Sequence, residues 1–127
     1  MIAVDSSTLI AYLAGDSGQD VQILDRALFQ NEVALPPVVV TEVLSATAAS
    51  AQLAPLIDNL PRLEITEGYW ERAARLRRDI LTRRLKAGVA DALICQSCLD
   101  HGLPLLTRDR DFRHFVWHGG LVLAPAE

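Results

Sequence analysis

The sequence has few cysteines and no long apolar run. Two cysteines in 127 residues are too few for the disulfide framework of a small secreted protein. Every aliphatic run is interrupted within a few residues by a charge, a proline or a glycine, so we expect no membrane-spanning helix. The amino terminus has no basic segment and reaches Asp5 at once, which is unlike a secretory signal. We therefore expect a reduced, cytoplasmic protein.

The two cysteines, Cys95 and Cys98, form a C-x-x-C pattern. The pattern lies inside a predicted helix, whereas a thioredoxin-type pair gains its reactivity at a helix N-terminus. We therefore expect both thiols to pack in the core.

Aromatic residues make up only 6% of the chain, although half of it is hydrophobic and the mean hydropathy is +0.21. The length fits one domain with a real core and is too short for two ordinary domains. We therefore expect a single domain over residues 1–127. The hydropathy is high for a small protein, which predicts that a partner covers part of the apolar surface.

The formal net charge of −4 is unevenly distributed. Residues 1–61 carry seven acids and one base, whereas residues 62–127 carry eleven of the twelve bases and nine acids. Seven of those bases lie between residues 72 and 86, and three more follow the last long apolar run: Arg108, Arg110 and Arg113. The cluster is typical either of a rim that binds nucleic-acid phosphates or of a solvated helix face.

Short aliphatic runs predict five strands, at residues 2–4, 33–35, 63–65, 103–107 and 121–124. The segments between them have helical periodicity, including a long helix over residues 67–86, and Pro55 is expected to end a helix before Leu56. Short strands that alternate with helices predict an α/β fold, in which a parallel sheet carries helices on both faces.

Four carboxylates stand at the ends of these elements or alone on apolar helices. Asp5 and Asp109 follow predicted strands, whereas Glu42 and Asp91 are lone charges on apolar helices. Each has an ordinary explanation: a helix cap, a side chain that reaches solvent, a helix-dipole contact or a turn cap. Four such exceptions on one α/β scaffold predict instead that the acids meet at one edge of the sheet, where such folds bind ligands.

Convergent carboxylates raise one another's pKa unless a cation lies between them. Oxygen ligands select a hard divalent ion, so we expect Mg²⁺ or Mn²⁺ and hydrolytic phosphoryl chemistry. Ser7 and Thr107 are expected to donate hydroxyl hydrogen bonds to the carboxylates or to water. If Asp5 serves the metal site, Ser6 and Ser7 are left to cap the first helix.

Four segments together resemble the acidic motifs of PIN-domain ribonucleases, and within that superfamily the short chain resembles VapC-like toxins. The segments are Val4–Ser7, Thr41–Glu42, Val89–Ile94 and Leu105–Phe112, in the family's order. The resemblance implies a three-layer α/β/α domain with a five-stranded parallel sheet. It further implies a homodimer, Mg²⁺-dependent endoribonuclease activity and inhibition by a VapB-like antitoxin.

Residue by residue, the resemblance carries the metal-binding role to Asp5, Glu42, Asp91 and Asp109. Asp111 matches a further acid of variable role and ranks below those four. Many relatives have Asn at the position of Ser7. The basic residues expected to contact RNA are Arg84, Lys86, Arg108 and Arg110.

Three other interpretations remain open from the sequence. A haloacid-dehalogenase-like phosphatase also ends its first strand in Asp, but Ser7 stands where that family has a second Asp. A receiver-type signalling domain requires a lysine after a late strand, whereas the only lysine, Lys86, precedes the helix that bears Asp91. The third is a non-catalytic or degenerate PIN-like protein-interaction module.

Overall fold

A computed structural model describes residues 1–48 and 50–125. Four short strands alternate with seven helices: β1 Ile2–Val4, α1 Ser6–Leu13, α2 Gln19–Phe29, β2 Val33–Ala34, α3 Pro37–Leu44, α4 Ser50–Asn59, α5 Tyr69–Thr82, α6 Val89–His101, β3 Leu105–Leu106, α7 Arg113–Gly119 and β4 Leu123–Ala124. A single 3₁₀ turn, Arg110–Phe112, precedes α7.

The strands form one parallel sheet in the order β2-β1-β3-β4. Ala3 pairs with Ala34 on one side and with Leu105 on the other, so β1 lies inside the sheet. Its side chains and those of β3 are fully buried from Ala3 to Val4 and from Leu105 to Leu106, as expected for a sheet covered by helices. The predicted α/β class is confirmed.

The prediction of a fifth strand is wrong for the described part of the chain. Residues 63–65 join no ladder, and only one isolated parallel bridge, between Leu35 and Arg62, extends the sheet beyond β2. Leu35 N donates to Pro61 O at 2.9 Å, and Leu63 N donates to Leu35 O at 2.8 Å. Pairing stops there because Pro36 and Pro37 follow Leu35 directly and have no N–H to donate.

The predicted break at Pro55 is also wrong, because Pro55 lies inside α4. Leu53 and Ile57 flank it and are fully buried, whereas Pro55 itself faces solvent. Burying two such side chains contributes about 3–6 kcal/mol, compared with a cost of about 3 kcal/mol for an interior proline. Burial of the apolar face therefore keeps the helix continuous.

The cysteines behave as predicted. Cys95 and Cys98 are both buried and unpaired on α6, and burial raises the pKa of Cys98 to about 12. Within residues 1–48 and 50–125, none of the helices is long and apolar enough to span a bilayer.

Candidate metal centre

The carboxyl ends of β1 and β3 bring two of the predicted acids to the same edge of the sheet. Asp5 follows β1 directly, and its backbone N donates to Leu106 O at 3.2 Å. Thr107, the residue after β3, donates from Oγ1 to Asp5 Oδ2 at 2.6 Å and accepts from the backbone N of Asp109 at 3.0 Å. The Thr107 hydroxyl therefore connects the carboxylate of Asp5, after β1, to the backbone of Asp109, after β3.

Asp5 is almost completely buried, with 3% of its surface exposed. Its Oδ1 accepts from Ser7 Oγ at 2.7 Å and from Thr8 N at 3.2 Å. Burial raises the pKa of Asp5 above its ordinary value, the hydrogen bonds from Thr107 and Ser7 oppose that rise, and the charge of Asp109 adds to it.

Asp5 is also the N-cap of α1. The expectation that Ser6 and Ser7 would take over the capping is therefore wrong. A carboxylate has several acceptor positions on two oxygens. One side chain can consequently cap the helix and face a neighbouring acid at the same time.

Glu42 comes from α3, which packs against both α1 and α6. Its Oε1 accepts from Ser6 Oγ at 3.3 Å, a contact that the sequence pattern did not predict. Partial burial raises the pKa of Glu42, and the negative charges of Asp5 and Asp109 raise it further. Glu42 is therefore directed toward the other acids, although its helix has solvent on one side.

The tightest group of acids consists of Asp91, Asp109 and Asp111. One carboxylate oxygen from each lies within 4.8 Å of the others. Asp91 stands in the first turn of α6 after Gly88. Its pKa is raised to about 6, chiefly by burial and then by the charges of Asp109, Glu42, Asp111 and Asp5.

Asp109 and Asp111 are held by the turn between them. Asp109 Oδ1 accepts from the backbone N of Asp111 at 2.8 Å, and Asp111 Oδ2 accepts from Lys86 Nζ at 3.1 Å. The sequence ranked Asp111 below the other four acids, yet its oxygen lies in the closest group. The i to i+2 spacing with Asp109 was the available signal, since both acids stand in one polar turn.

The chemistry of this donor set fits a hard divalent cation. The group contains carboxylate oxygens only, the preference of Mg²⁺ and Mn²⁺ rather than zinc. The raised pKa of Asp91 records repulsion and desolvation that a bound cation would offset. Asp91, Asp109 and Asp111 would hold such an ion, with Asp5 and Glu42 beside them.

The bases predicted to contact RNA differ in their surroundings. The Arg108 guanidinium binds Asp20, and Lys86 binds Asp111. Arg84 is exposed in the loop after α5, where its backbone is left-handed with φ 62°. Arg108, Arg110 and Arg113 line a groove of about 250 Å³ together with Asp109.

Residues 2–117 match the PIN domain family, while no curated protein sequence matches the chain. Among solved structures, the chain is similar to VapBC2 from Rickettsia felis bound to a DNA fragment from their promoter, with 18% identity, a TM-score of 0.75 and 97% of each chain covered. At that identity the likeness shows the fold alone. The family match spans nearly the whole chain. It therefore excludes the interpretations as a phosphatase or a receiver domain. This chain therefore belongs to the PIN domain family.

Proposed function

We propose that this protein is a Mg²⁺-dependent endoribonuclease and the toxin of a toxin–antitoxin module. The observation that carries the proposal is the close group of Asp91, Asp109 and Asp111, in a chain of the PIN domain family. The pKa of Asp91, raised to about 6, supports cation binding because crowded carboxylates gain from a divalent ion between them.

A bound Mg²⁺ or Mn²⁺ would supply an acidified water as nucleophile and positive charge beside the scissile phosphate. The protein's own contribution is to hold the acids in place before substrate arrives. Ser7 and Thr107 donate to both oxygens of Asp5, which favours the ionised carboxylate. Asp91 accepts no hydrogen bond from any side chain in the described segments, so both of its oxygens are free for a ligand.

RNA is proposed as the substrate from the resemblance to PIN-domain ribonucleases. The groove at Asp109 supports a strand-binding role, because Arg110 and Arg113 line it together with the apolar Leu123. Arg108 lines it too, but its guanidinium is paired with Asp20. Arginine side chains in such a groove bind phosphates through charge and bases through stacking. A nucleic-acid strand could therefore continue from the acidic group into this groove.

We further propose a VapB-like antitoxin as the partner, a homodimer as the free form and the cytoplasm as the location. The similar solved structure is described as VapBC2 bound to promoter DNA, and the partner is carried over from it as a proposal. Exposed apolar side chains support an interface: Phe29 is 90% exposed and Trp117 is 65% exposed. Phe29 borders a groove of about 740 Å³ between α1, α2 and α4.

The test is cleavage of RNA by the purified protein. We expect cleavage with Mg²⁺ or Mn²⁺, none with EDTA, and a loss of at least about 100-fold for Asp91→Asn or Asp109→Asn. Asp58→Asn is the matched control, because Asp58 is an exposed acid on α4. The same assay with a DNA strand of equal sequence checks the preference for RNA.

Two results would contradict the proposal. Equal cleavage by Asp91→Asn and wild type would place the chemistry elsewhere. A wild type that cuts no nucleic acid with either ion, yet still binds the product of a neighbouring reading frame, would favour the degenerate interaction module.

A further inference from the structure

Arg108 was predicted to contact RNA, but its guanidinium is bound by the first turn of α2 and the loop before it. Its Nε donates to Asp20 Oδ2 at 2.8 Å and its Nη2 donates to Asp20 Oδ1 at 2.9 Å. Nη2 also donates to the backbone O of Ser17 at 3.3 Å, and Asp16 lies 3.7 Å from Nη1. The guanidinium charge is thus matched by a two-point carboxylate contact, the geometry for which arginine is best suited.

The backbone of Arg108 lies between two residues of the acidic site. Thr107 donates to Asp5, and Asp109 belongs to the close group of acids. The backbone N of Arg108 donates to Ser7 Oγ at 3.3 Å. Holding the Arg108 side chain against Asp20 therefore restrains the segment that presents Asp109.

Asp20 is also connected through hydrogen bonds to Asp5, the acid that follows β1. Thr8 Oγ1 donates to Asp20 Oδ2 at 3.0 Å, and the backbone N of Thr8 donates to Asp5 Oδ1. Thr8 is fully buried, so these two bonds have little freedom to shift. A continuous set of contacts thus runs from Asp5 through Thr8 and Asp20 to Arg108.

The backbone of the loop at Gly18 passes close to the ion pair between Arg108 and Asp20. Gly18 has φ 146°, in the region that favours glycine. A Cβ there would lie 2.7 Å from Asp20 Oδ1 and 3.1 Å from Arg108 Nη2. The absence of a side chain at residue 18 therefore gives the ion pair its space.

We propose that Arg108 is a positioning residue: its ion pair with Asp20 fixes the Thr107–Asp109 segment so that Asp109 stands in the metal-binding arrangement with Asp91. The proposal rests on the proposed function, because it assumes that these acids bind a divalent ion. It replaces the RNA contact expected for Arg108.

The test measures Mn²⁺ binding directly, by electron paramagnetic resonance of free Mn²⁺, in wild type, Arg108→Gln, Asp20→Asn and the double variant. Each single variant is expected to bind Mn²⁺ about tenfold more weakly, as for other groups that orient metal ligands. The double variant is expected to lose no more than either single one, because both remove the same contact. Asp20→Asn keeps the residue's size and decides the matter if Arg108→Gln does not fold.

Arg72→Gln is the matched control. Arg72 makes the same kind of two-point contact, with Nε and Nη2 on Asp100 at 3.1 and 2.6 Å, but it joins α5 to the far end of α6. We expect this variant to lower the thermal midpoint and to leave Mn²⁺ binding unchanged. Equal losses of Mn²⁺ affinity in Arg72→Gln and Arg108→Gln would overturn the positioning role, because general loosening would then explain both.

Binding of a single-stranded RNA in EDTA separates the two roles of Arg108. A positioning residue leaves this affinity unchanged in both variants. If Arg108 contacted RNA instead, Arg108→Gln would weaken RNA binding while Asp20→Asn would strengthen it by freeing the guanidinium, and Mn²⁺ binding would stay at the wild-type level. A wild type that binds no Mn²⁺ would overturn the proposed metal-dependent function, whereas normal Mn²⁺ binding in the variants would overturn this inference alone.

Discussion

The acids of the site differ in how the protein holds them. Asp5 accepts hydrogen bonds from Ser7, Thr8 and Thr107 and caps α1. Asp91 has no such donor in the described segments, and burial with neighbouring negative charge raises its pKa to about 6. Removing the charge of Asp91 therefore relieves repulsion, whereas altering Asp5 breaks contacts that stabilise the fold.

Without metal, Asp91→Asn is expected to stabilise the protein at neutral pH. The folded carboxyl keeps its proton up to about pH 6, compared with an ordinary pKa of 3.8, so its contribution to stability is most favourable below pH 3.8 and falls as pH rises through 6. Above about pH 6 the Asp91 carboxylate is ionised, and its repulsion with the neighbouring acids destabilises the folded protein. The gain at pH 7.5 in EDTA is about 1 kcal/mol, because partial exposure screens the repulsion, and it disappears toward pH 4.

Thermal midpoints measured between pH 4 and pH 8 in EDTA check this difference. Asp5→Ala provides the comparison of opposite sign, since removing a helix cap costs about 1 kcal/mol. A decrease in the Asp91→Asn midpoint at pH 7.5 as large as that of Asp5→Ala would show that Asp91 makes stabilising contacts and would contradict the proposed repulsion.

At the scale of the elements, the sequence predicted the strands and helices whose formation depends on neighbouring residues along the chain. The aliphatic runs before Asp5 and Thr107 identified two strands, and parallel pairing then required their carboxyl ends to share an edge. The single bridge between Leu35 and Arg62 replaces a strand because Pro36 and Pro37 end the neighbouring edge. The alternating pattern of residues 63–65 holds no information about that neighbour, so it predicted a strand.

The pairing of Arg108 with Asp20 had no sequence signal either. The two residues are 88 positions apart, and one ion pair leaves no periodicity to detect. The capping role of Asp5 was not predicted either, because the sequence favours a helix cap or a metal ligand for one carboxylate and does not show that it can be both. The ion pair follows from the way the start of α2 packs against the end of β3, whereas the cap is a local contact between Asp5 and Thr8.

The loop between α1 and α2 offers a test of the backbone geometry. Gly18→Ala is expected to destabilise the protein more than Gly15→Ala. Both glycines have positive φ, but a Cβ at residue 15 has no atom within 4 Å, whereas one at residue 18 meets Asp20 and Arg108. The left-handed backbone costs an alanine about 1–2 kcal/mol at residue 15. At residue 18, φ 146° and ψ 158° lie in a region adopted almost only by glycine, where the strain costs about 1–3 kcal/mol, and displacing the ends of the Asp20 and Arg108 side chains adds to that loss.

Urea unfolding of the two alanine variants measures the difference, with the denaturant slope as a check on two-state behaviour. Equal losses would mean that the loop moves aside at no cost, in which case Asp20 and Arg108 are not held as closely as their distances indicate.

At the scale of the whole molecule, the sheet edge with the acids and the groove between α1, α2 and α4 are distinct surfaces. The groove is lined by Tyr12, Leu28, Phe29 and Leu56 together with polar residues. Phe29 is the most exposed large hydrophobic side chain of the described residues. Part of the exposed apolar surface therefore lies at this groove, where a partner segment has room to bind.

Phe29→Ser is therefore expected to weaken binding of the proposed antitoxin by about tenfold or more, the loss expected when a buried aromatic anchor is removed from an interface. Because Phe29 is 90% exposed in the isolated chain, the same change should leave the thermal midpoint and the RNA cleavage rate of the free protein unaltered. Calorimetric titration with the antitoxin measures the affinity, and Val122→Ser is the control, since Val122 is exposed but lies outside the groove. Equal affinities for wild type and Phe29→Ser would show that the antitoxin binds another surface, whereas a matching loss in Val122→Ser would mean that general surface hydropathy, rather than this groove, determines binding.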